Sequence, residues 1–182
     1  MRARAGLSIA LGAAATVALG QAGTQPAPQP SSPLVIEVLA PLLASWIVSE
    51  RDAAKEQGVE PIPVAIRAAL EGYVPEPVLD RVRWREGASE LSMPQNVIRF
   101  GDVPAVTLVD VIVFRERRVA LEDATIWAHE LKHVMQFAEW GIDDFATRYL
   151  TDSEAVETEA WEFRWQFMKQ AGLIPTIGSP DN

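Results

Sequence analysis

Residues 121–140 constrain the fold most, because apolar positions recur there with the period of an α-helix. The stripe comprises Ala124, Trp127, Ala128, Leu131, Val134, Met135 and Ala138. Gly141 follows and suits a helix end. Both histidines of the chain, His129 and His133, flank the stripe four residues apart. Because residues i and i+4 lie one above the other on a helix, the sequence predicts a helix that packs its back into the core and offers two imidazoles to a cleft.

The spacing of these histidines is that of a metal site. Two imidazoles one turn apart can bind a single zinc ion, and Glu130, beside the first of them, can act as general base toward the attacking water. The chain has no cysteine and no third histidine, so the third ligand must be a carboxylate. We therefore predict Zn²⁺ as cofactor, His129 and His133 as metal ligands, and Glu130 as the catalytic residue.

A second helix, predicted over residues 152–170, is the nearest source of the third ligand. Thr151 and Glu154 have the spacing of a capping box at its start. Its candidate ligands are Glu154, Glu157, Glu159 and Glu162. Glu154 and Glu157 share a face with Trp161, whereas the other two point elsewhere. Spacing alone therefore leaves Glu154 and Glu157 as alternatives.

The rest of the chain predicts helices around a small sheet. Helical patterns cover residues 34–57 and 64–71. Three β-prone runs follow, at residues 82–85, 96–100 and 105–114. The last is the longest strand candidate, because it is rich in β-branched residues. Helices, then a sheet, then two helices indicate a single α+β domain over residues 34–182.

The first 22 residues have the pattern of a secretory signal peptide. Arg2 and Arg4 precede an apolar run at residues 7–19, which is shorter than the ~20 residues needed to span a bilayer. A proline-rich segment at residues 23–33 reads as an extended linker. We expect export to the periplasm or the medium, with no stable membrane insertion after leader removal. An uncleaved N-terminal anchor is the alternative.

Charge and composition narrow the classes of partner. The net charge is −9 and the pI is near 4.7, which argues against nucleic-acid binding because a nucleic-acid groove needs a basic face. Four tryptophans at helical spacing could suggest a sugar platform: Trp127, Trp140, Trp161 and Trp165. At that spacing packing in the core and between helices is the more common role, and we predict it here.

The segment Glu157-Thr158-Glu159-Ala160-Trp161 resembles the third-ligand helix of thermolysin-like zinc peptidases. The resemblance implies that Glu157 is the third ligand. That family commonly has Asp where this chain has Trp161, and the Asp orients a ligating histidine. This chain therefore departs from the pattern beside its metal site.

A closer resemblance spans residues 62–165. Thr107-Leu108, Ile112-Val113-Phe114 and the run from Ala128 to Gln136 (AHELKHVMQ) are similar to a bacterial metallopeptidase-like family, the extracellular contractile injection system core domain. The resemblance implies a minimal zincin fold. In it, a small antiparallel or mixed sheet packs on the His-Glu-x-x-His helix and on a second, C-terminal helix that carries the last ligand.

These features together predict an exported zinc-dependent metallopeptidase with a peptide or protein substrate. Residues 109–114 are expected to pair with the extended peptide by β-augmentation. Tyr149, Tyr73 and Arg148 remain open as oxyanion donors. The alternative is a non-catalytic zincin-like module that mediates interactions in an envelope or secretion assembly.

Overall fold

The computed structural model describes residues 32–88 and 103–174. Within these ranges the elements are α1 (Pro33–Gln57), β1 (Glu60–Pro61), α2 (Val64–Leu70), α3 (Glu76–Arg81), β2 (Arg83–Glu86), β3 (Ala105–Leu108), β4 (Val111–Phe114), α4 (Arg117–Glu122), α5 (Ala124–Trp140), α6 (Ile142–Thr151) and α7 (Ser153–Gln170). Helices surround a small mixed sheet, so the α+β class is confirmed. The predicted leader, nearly all of the predicted linker and the β-prone run at 96–100 lie outside the described residues.

The sheet has the strand order β1-β2-β4-β3. β2 and β4 are parallel, and the other two pairs are antiparallel. The prediction of one strand over residues 105–114 is wrong, because the chain reverses at Val109 and Asp110 between β3 and β4. Val109 has a φ of 62°, which a β-branched residue rarely adopts. Two-residue hairpin loops usually contain Gly or Asn. This loop consists of Val109 and Asp110, so its sequence does not mark it as a turn.

The start of α5 is fixed by an aromatic cluster beneath the sheet. Trp84, Phe114 and Trp127 are fully buried, and the rings of Phe114 and Trp127 lie 4.9 Å apart. The Trp127 indole N–H donates to the Ala120 carbonyl over 2.7 Å. Asp123 caps the helix by accepting from the backbone N–H groups of the second and third residues that follow it. These contacts set the rotation of α5, and hence the direction of its histidines.

The last two helices meet at a sharp junction. Asp152 caps α7 and accepts from the Ala155 backbone N–H over 3.0 Å. The predicted capping box on Thr151 and Glu154 is therefore wrong. Thr151 is instead the last residue of α6, and its hydroxyl donates to the Thr147 carbonyl over 2.7 Å. Asp152 alone separates α6 from α7, and α7 packs against α5.

Helix α1 covers the other face of the sheet. Its buried residues, Leu43, Ala44 and Ile47 among them, share a core cluster with β3, β4 and α6. Leu34 and Leu42 are exposed. Among the described residues α1 is the one helix long and apolar enough to cross a membrane, with a mean hydropathy of 1.5 and 22% of its apolar window buried. Core helices and signal sequences also have these properties, so length and composition carry little weight here.

Candidate metal centre

Helix α5 brings the two histidine rings together. The Nε2 atoms of His129 and His133 are 3.3 Å apart, and the ring centroids are 4.9 Å apart. Both side chains are buried. The predicted helical spacing therefore places two nitrogen ligands at one point, enclosed by protein on most sides.

Helix α7 supplies a carboxylate to the same point. Glu157 Oε2 lies 3.3 Å from His129 Nε2 and 3.6 Å from His133 Nε2. These three residues are the group whose ligand atoms could hold a metal ion among the described residues. Glu154, the alternative ligand, is exposed and is not part of the group. The structure thus brings His129, His133 and Glu157 together and leaves Glu154 outside.

The spacing of the three atoms fits zinc. Ligands about 2.0–2.1 Å from a tetrahedral zinc ion lie about 3.3–3.4 Å from one another. The observed separations of 3.3, 3.3 and 3.6 Å match this triangle. Two imidazole nitrogens and one carboxylate oxygen are also a donor set that catalytic zinc sites use, with a fourth position left for water or substrate.

The charged forms of Glu157 and His133 stabilise each other. Burial would raise the pKa of Glu157, but hydrogen bonds from His129 and His133 outweigh it and hold this pKa well below its usual range. Burial would lower the pKa of His133, but the Glu157 and Glu130 carboxylates outweigh it and raise this pKa. The pocket therefore carries negative charge that favours a cation, either a proton or a metal ion.

Glu130 lies between the two imidazoles in sequence and is buried. Its Oε2 accepts a hydrogen bond from the Thr107 hydroxyl over 2.7 Å. Thr107 belongs to β3, so the sheet orients the predicted general base. Sequence reasoning assigned no role to Thr107, although its position in a β-branched run just before the motif helix was visible.

Gln136 is a second residue that sequence reasoning did not assign. It is fully buried, one turn beyond His133, and its Oε1 lies 2.8 Å from His133 Nδ1. Its Nε2 donates to the Val156 carbonyl and to Glu159, each over 3.1 Å. Glu159 also pairs with Lys132 over 3.1 Å. Glu159 is outside the ligand triad, as predicted, yet it belongs to the network behind His133.

His129 has a different environment. The ring of Trp161 lies 4.7 Å from the His129 ring at an angle of 59°. His129 Nδ1 is buried and has no hydrogen-bond partner among the described residues. Trp161 is 54% exposed and Trp165 is 48% exposed, so neither lies in the core, although the Trp161 ring packs between helices α7 and α5. The prediction of core packing is confirmed for Trp127, which is fully buried.

The three candidate oxyanion donors have separate surroundings. The Tyr149 hydroxyl lies 3.4 Å from Glu157 Oε1, and burial followed by the Glu157 charge raises its pKa. Tyr73 donates to the Phe163 carbonyl, and the guanidinium of Arg148 lies 4.6 Å from the Trp140 ring centroid. Of the three, only Tyr149 contacts a member of the triad.

The strand expected to bind a peptide is not available. β4 (Val111–Phe114) is central and pairs with β2 on one side and β3 on the other, so β-augmentation on residues 109–114 is wrong. In the described part of the sheet, the unpaired edge near the triad belongs to β3. β3 also carries Thr107, which contacts Glu130.

A family model described as the eCIS core domain matches residues 61–141. The matched stretch contains the whole of β2, β3, β4 and α5, and therefore Thr107, Glu130 and both histidines. It ends before Glu157. No curated protein and no solved structure matches the chain. The chain is similar to this family over most of its sheet and its motif helix, and the match does not include the third ligand of the triad, Glu157.

Proposed function

We propose that this chain is an exported zinc-dependent metallopeptidase with His129, His133 and Glu157 as metal ligands. The observation that carries the proposal is the triangle of ligand atoms, with sides of 3.3, 3.3 and 3.6 Å, next to a buried glutamate that follows the first histidine. A structural metal site would not need that glutamate. We therefore favour catalysis over a purely structural ion.

The residues of the site divide the chemistry among them. A zinc ion held by His129, His133 and Glu157 would lower the pKa of a water molecule toward ~7 and would polarise the scissile carbonyl. Glu130 accepts the proton of the attacking water and later delivers it to the leaving amine. The Thr107 hydroxyl donates to one oxygen of Glu130, so the other oxygen is left for the water. The Tyr149 hydroxyl, 3.4 Å from Glu157 Oε1, can donate to the developing oxyanion.

Within the part of the sheet that the structure describes, the outer edge of β3 is unpaired, and we propose it as the binding site for an extended peptide. Edge strands bind peptides through main-chain hydrogen bonds, and β3 contacts the general base through Thr107. A peptide that pairs with β3 would lie beside Glu130. The proposed substrate is therefore a peptide or a flexible protein segment, with no role for nucleic acid, consistent with the net charge of −9.

Export rests on the N-terminal sequence. Two arginines and a short apolar run precede the proline-rich segment, in the order typical of a cleaved leader. The matched family is named for an extracellular system, which agrees with a periplasmic or secreted location.

A second candidate is a non-catalytic module of an envelope or secretion assembly. The observation that favours it is the unpartnered Nδ1 of His129, against which Trp161 places a ring rather than a hydrogen-bond acceptor. A ligating histidine normally donates its other N–H to an acceptor, and loss of that partner weakens metal binding. Low affinity for the metal would suit a domain that has this fold but serves to bind other proteins.

Two measurements decide between these candidates. Elemental analysis of protein purified without chelator and supplied with zinc should give one zinc ion per chain. A peptide-library digest should then show cleavage by wild type and none by Glu130→Gln, with zinc content unchanged in the variant. Equal absence of cleavage in both zinc-loaded proteins would refute the peptidase and favour the module. Protein without bound zinc would refute the metal site itself.

A further inference from the structure

We propose that Gln136 is a positioning residue that holds His133 in the tautomer required for metal binding, with the proton on Nδ1 and the lone pair on Nε2. The inference deepens the proposed function, because it rests on His133 as a metal ligand. It concerns a side chain that touches neither the metal position nor the substrate.

The orientation of the Gln136 amide is fixed by its neighbours. One end of the amide lies 3.1 Å from the Val156 carbonyl oxygen and 3.1 Å from Glu159 Oε2. Both are acceptors, and Glu159 is paired with Lys132 as a carboxylate. Only the NH₂ group, which has two hydrogens, can satisfy both. A flipped amide would place its oxygen against two other oxygens inside a fully buried site.

The tautomer of His133 follows from this orientation. With the NH₂ group engaged, the amide oxygen must face His133 Nδ1 at 2.8 Å. That oxygen can only accept, so Nδ1 carries the proton. In the neutral ring, Nε2 then presents its lone pair toward Glu157 and His129. Glu159 accepts from both Lys132 and Gln136, and this orients the amide so that His133 Nε2 is ready for a metal ion.

His129 provides an internal contrast. Its Nδ1 has no partner, while its Nε2 lies 3.3 Å from Glu157 Oε2 and 3.3 Å from His133 Nε2, both of which are acceptors. In the metal-free protein its proton therefore belongs on Nε2. The two histidines are in opposite tautomers before metal binds. From these neutral tautomers, metal binding requires only His129 to move its proton, from Nε2 to Nδ1.

Nitrogen-15 NMR of the imidazoles tests this directly, because the chain has only two histidines. The metal-free protein is measured in alkaline buffer, where both rings are neutral. We expect His133 to have its proton on Nδ1 and His129 to have it on Nε2. Gln136→Met has a similar volume but no acceptor, and we expect the His133 tautomer to become mixed. Its zinc dissociation constant should rise about 10- to 100-fold.

A double variant separates positioning from packing. Gln136→Glu combined with Glu159→Gln keeps the formal charge, an acceptor for His133 Nδ1 and a donor–acceptor pair between the two side chains, but it places an oxygen against the Val156 carbonyl in place of the amide donor. We expect the double variant to be less stable than wild type, to retain the wild-type tautomer in its folded state and to bind zinc within about threefold of wild type. A purely structural role predicts instead that it behaves like Gln136→Met. Glu162→Gln, on the exposed face of α7, is the control for the loss of one charge.

The results that would overturn the role of Gln136 differ from those that would refute the peptidase. A wild-type His133 with its proton on Nε2 would overturn the inference, as would an unchanged tautomer in folded Gln136→Met. So would a double variant that loses the tautomer. If Gln136→Met fails to fold, the wild type and the double variant still decide. Failure to cleave peptides would refute the peptidase and leave these spectra unaffected, since they need neither zinc nor substrate.

Discussion

Replacement of Trp161 by Asp should strengthen zinc binding. Ligation through His129 Nε2 places a hydrogen on the buried Nδ1, which has no acceptor among the described residues. An unpaired buried donor costs about 1–3 kcal/mol. At about 1.4 kcal/mol per factor of ten, supplying an acceptor should tighten zinc binding about 5- to 150-fold. A carboxylate behind a ligating histidine typically contributes 10- to 100-fold, which agrees with this range.

The assay is competition for zinc against a chromophoric chelator, at constant pH and salt. Trp161 is 54% exposed, so its replacement should leave the fold intact. Trp161→Leu removes the ring without supplying an acceptor and serves as the matched control. Trp161→Asn supplies a neutral acceptor and should fall between the two. If the Asp variant binds zinc no more tightly than the Leu variant, the unpaired Nδ1 does not limit affinity and the reasoning is wrong.

Three further predictions follow from the triad and the core. Glu157→Ala should abolish stoichiometric zinc binding in elemental analysis, whereas Glu154→Ala should not; the reverse pattern would show that the third ligand is misassigned. Metal-free protein should be most stable between about pH 4.5 and 6.5 in denaturant titrations, because the lowered pKa of Glu157 stabilises the fold above the ordinary glutamate pKa of 4.5 and the raised pKa of His133 stabilises it below the ordinary histidine pKa of 6.5. Stability that keeps rising above that window would contradict the charge pairing. Leu131→Ala, at a fully buried position, should lower the free energy of unfolding by about 2–5 kcal/mol, and a loss below about 1 kcal/mol would contradict the packing of α5.

The motif helix was predictable because one short segment encodes its function. Once the segment is helical, the four-residue separation of His129 and His133 fixes their relative position. The apolar stripe is what makes the segment a helix that packs on the core. The carboxylate on α7 was harder to identify, since several glutamates share that helix. Only the packing of α7 against α5 shows that Glu157 faces the imidazoles and that Glu154 faces solvent.

Most of the network around the triad could not be read from the sequence, because only the contact between His133 and Gln136 lies within one helix and the others join distant segments. Thr107 meets Glu130 across 23 positions, and Gln136 meets Glu159 across another 23. The hairpin was missed for a different reason: Val109 and Asp110 are not the residues that mark a two-residue turn. Tertiary contacts there override local preference, and Val109 takes a φ that its side chain disfavours.

That hairpin determines more than the path of the chain. Its two-residue loop sets the alignment in which Thr107 stands opposite Ile112 and Leu108 opposite Val111. A shift by a single residue would turn every β3 side chain to the opposite face and bring an aliphatic group where the hydroxyl now meets Glu130. An insertion or deletion at residues 109–110 would thus remove the hydrogen bond that orients Glu130, the proposed proton acceptor, while every residue of the metal triad stayed in place.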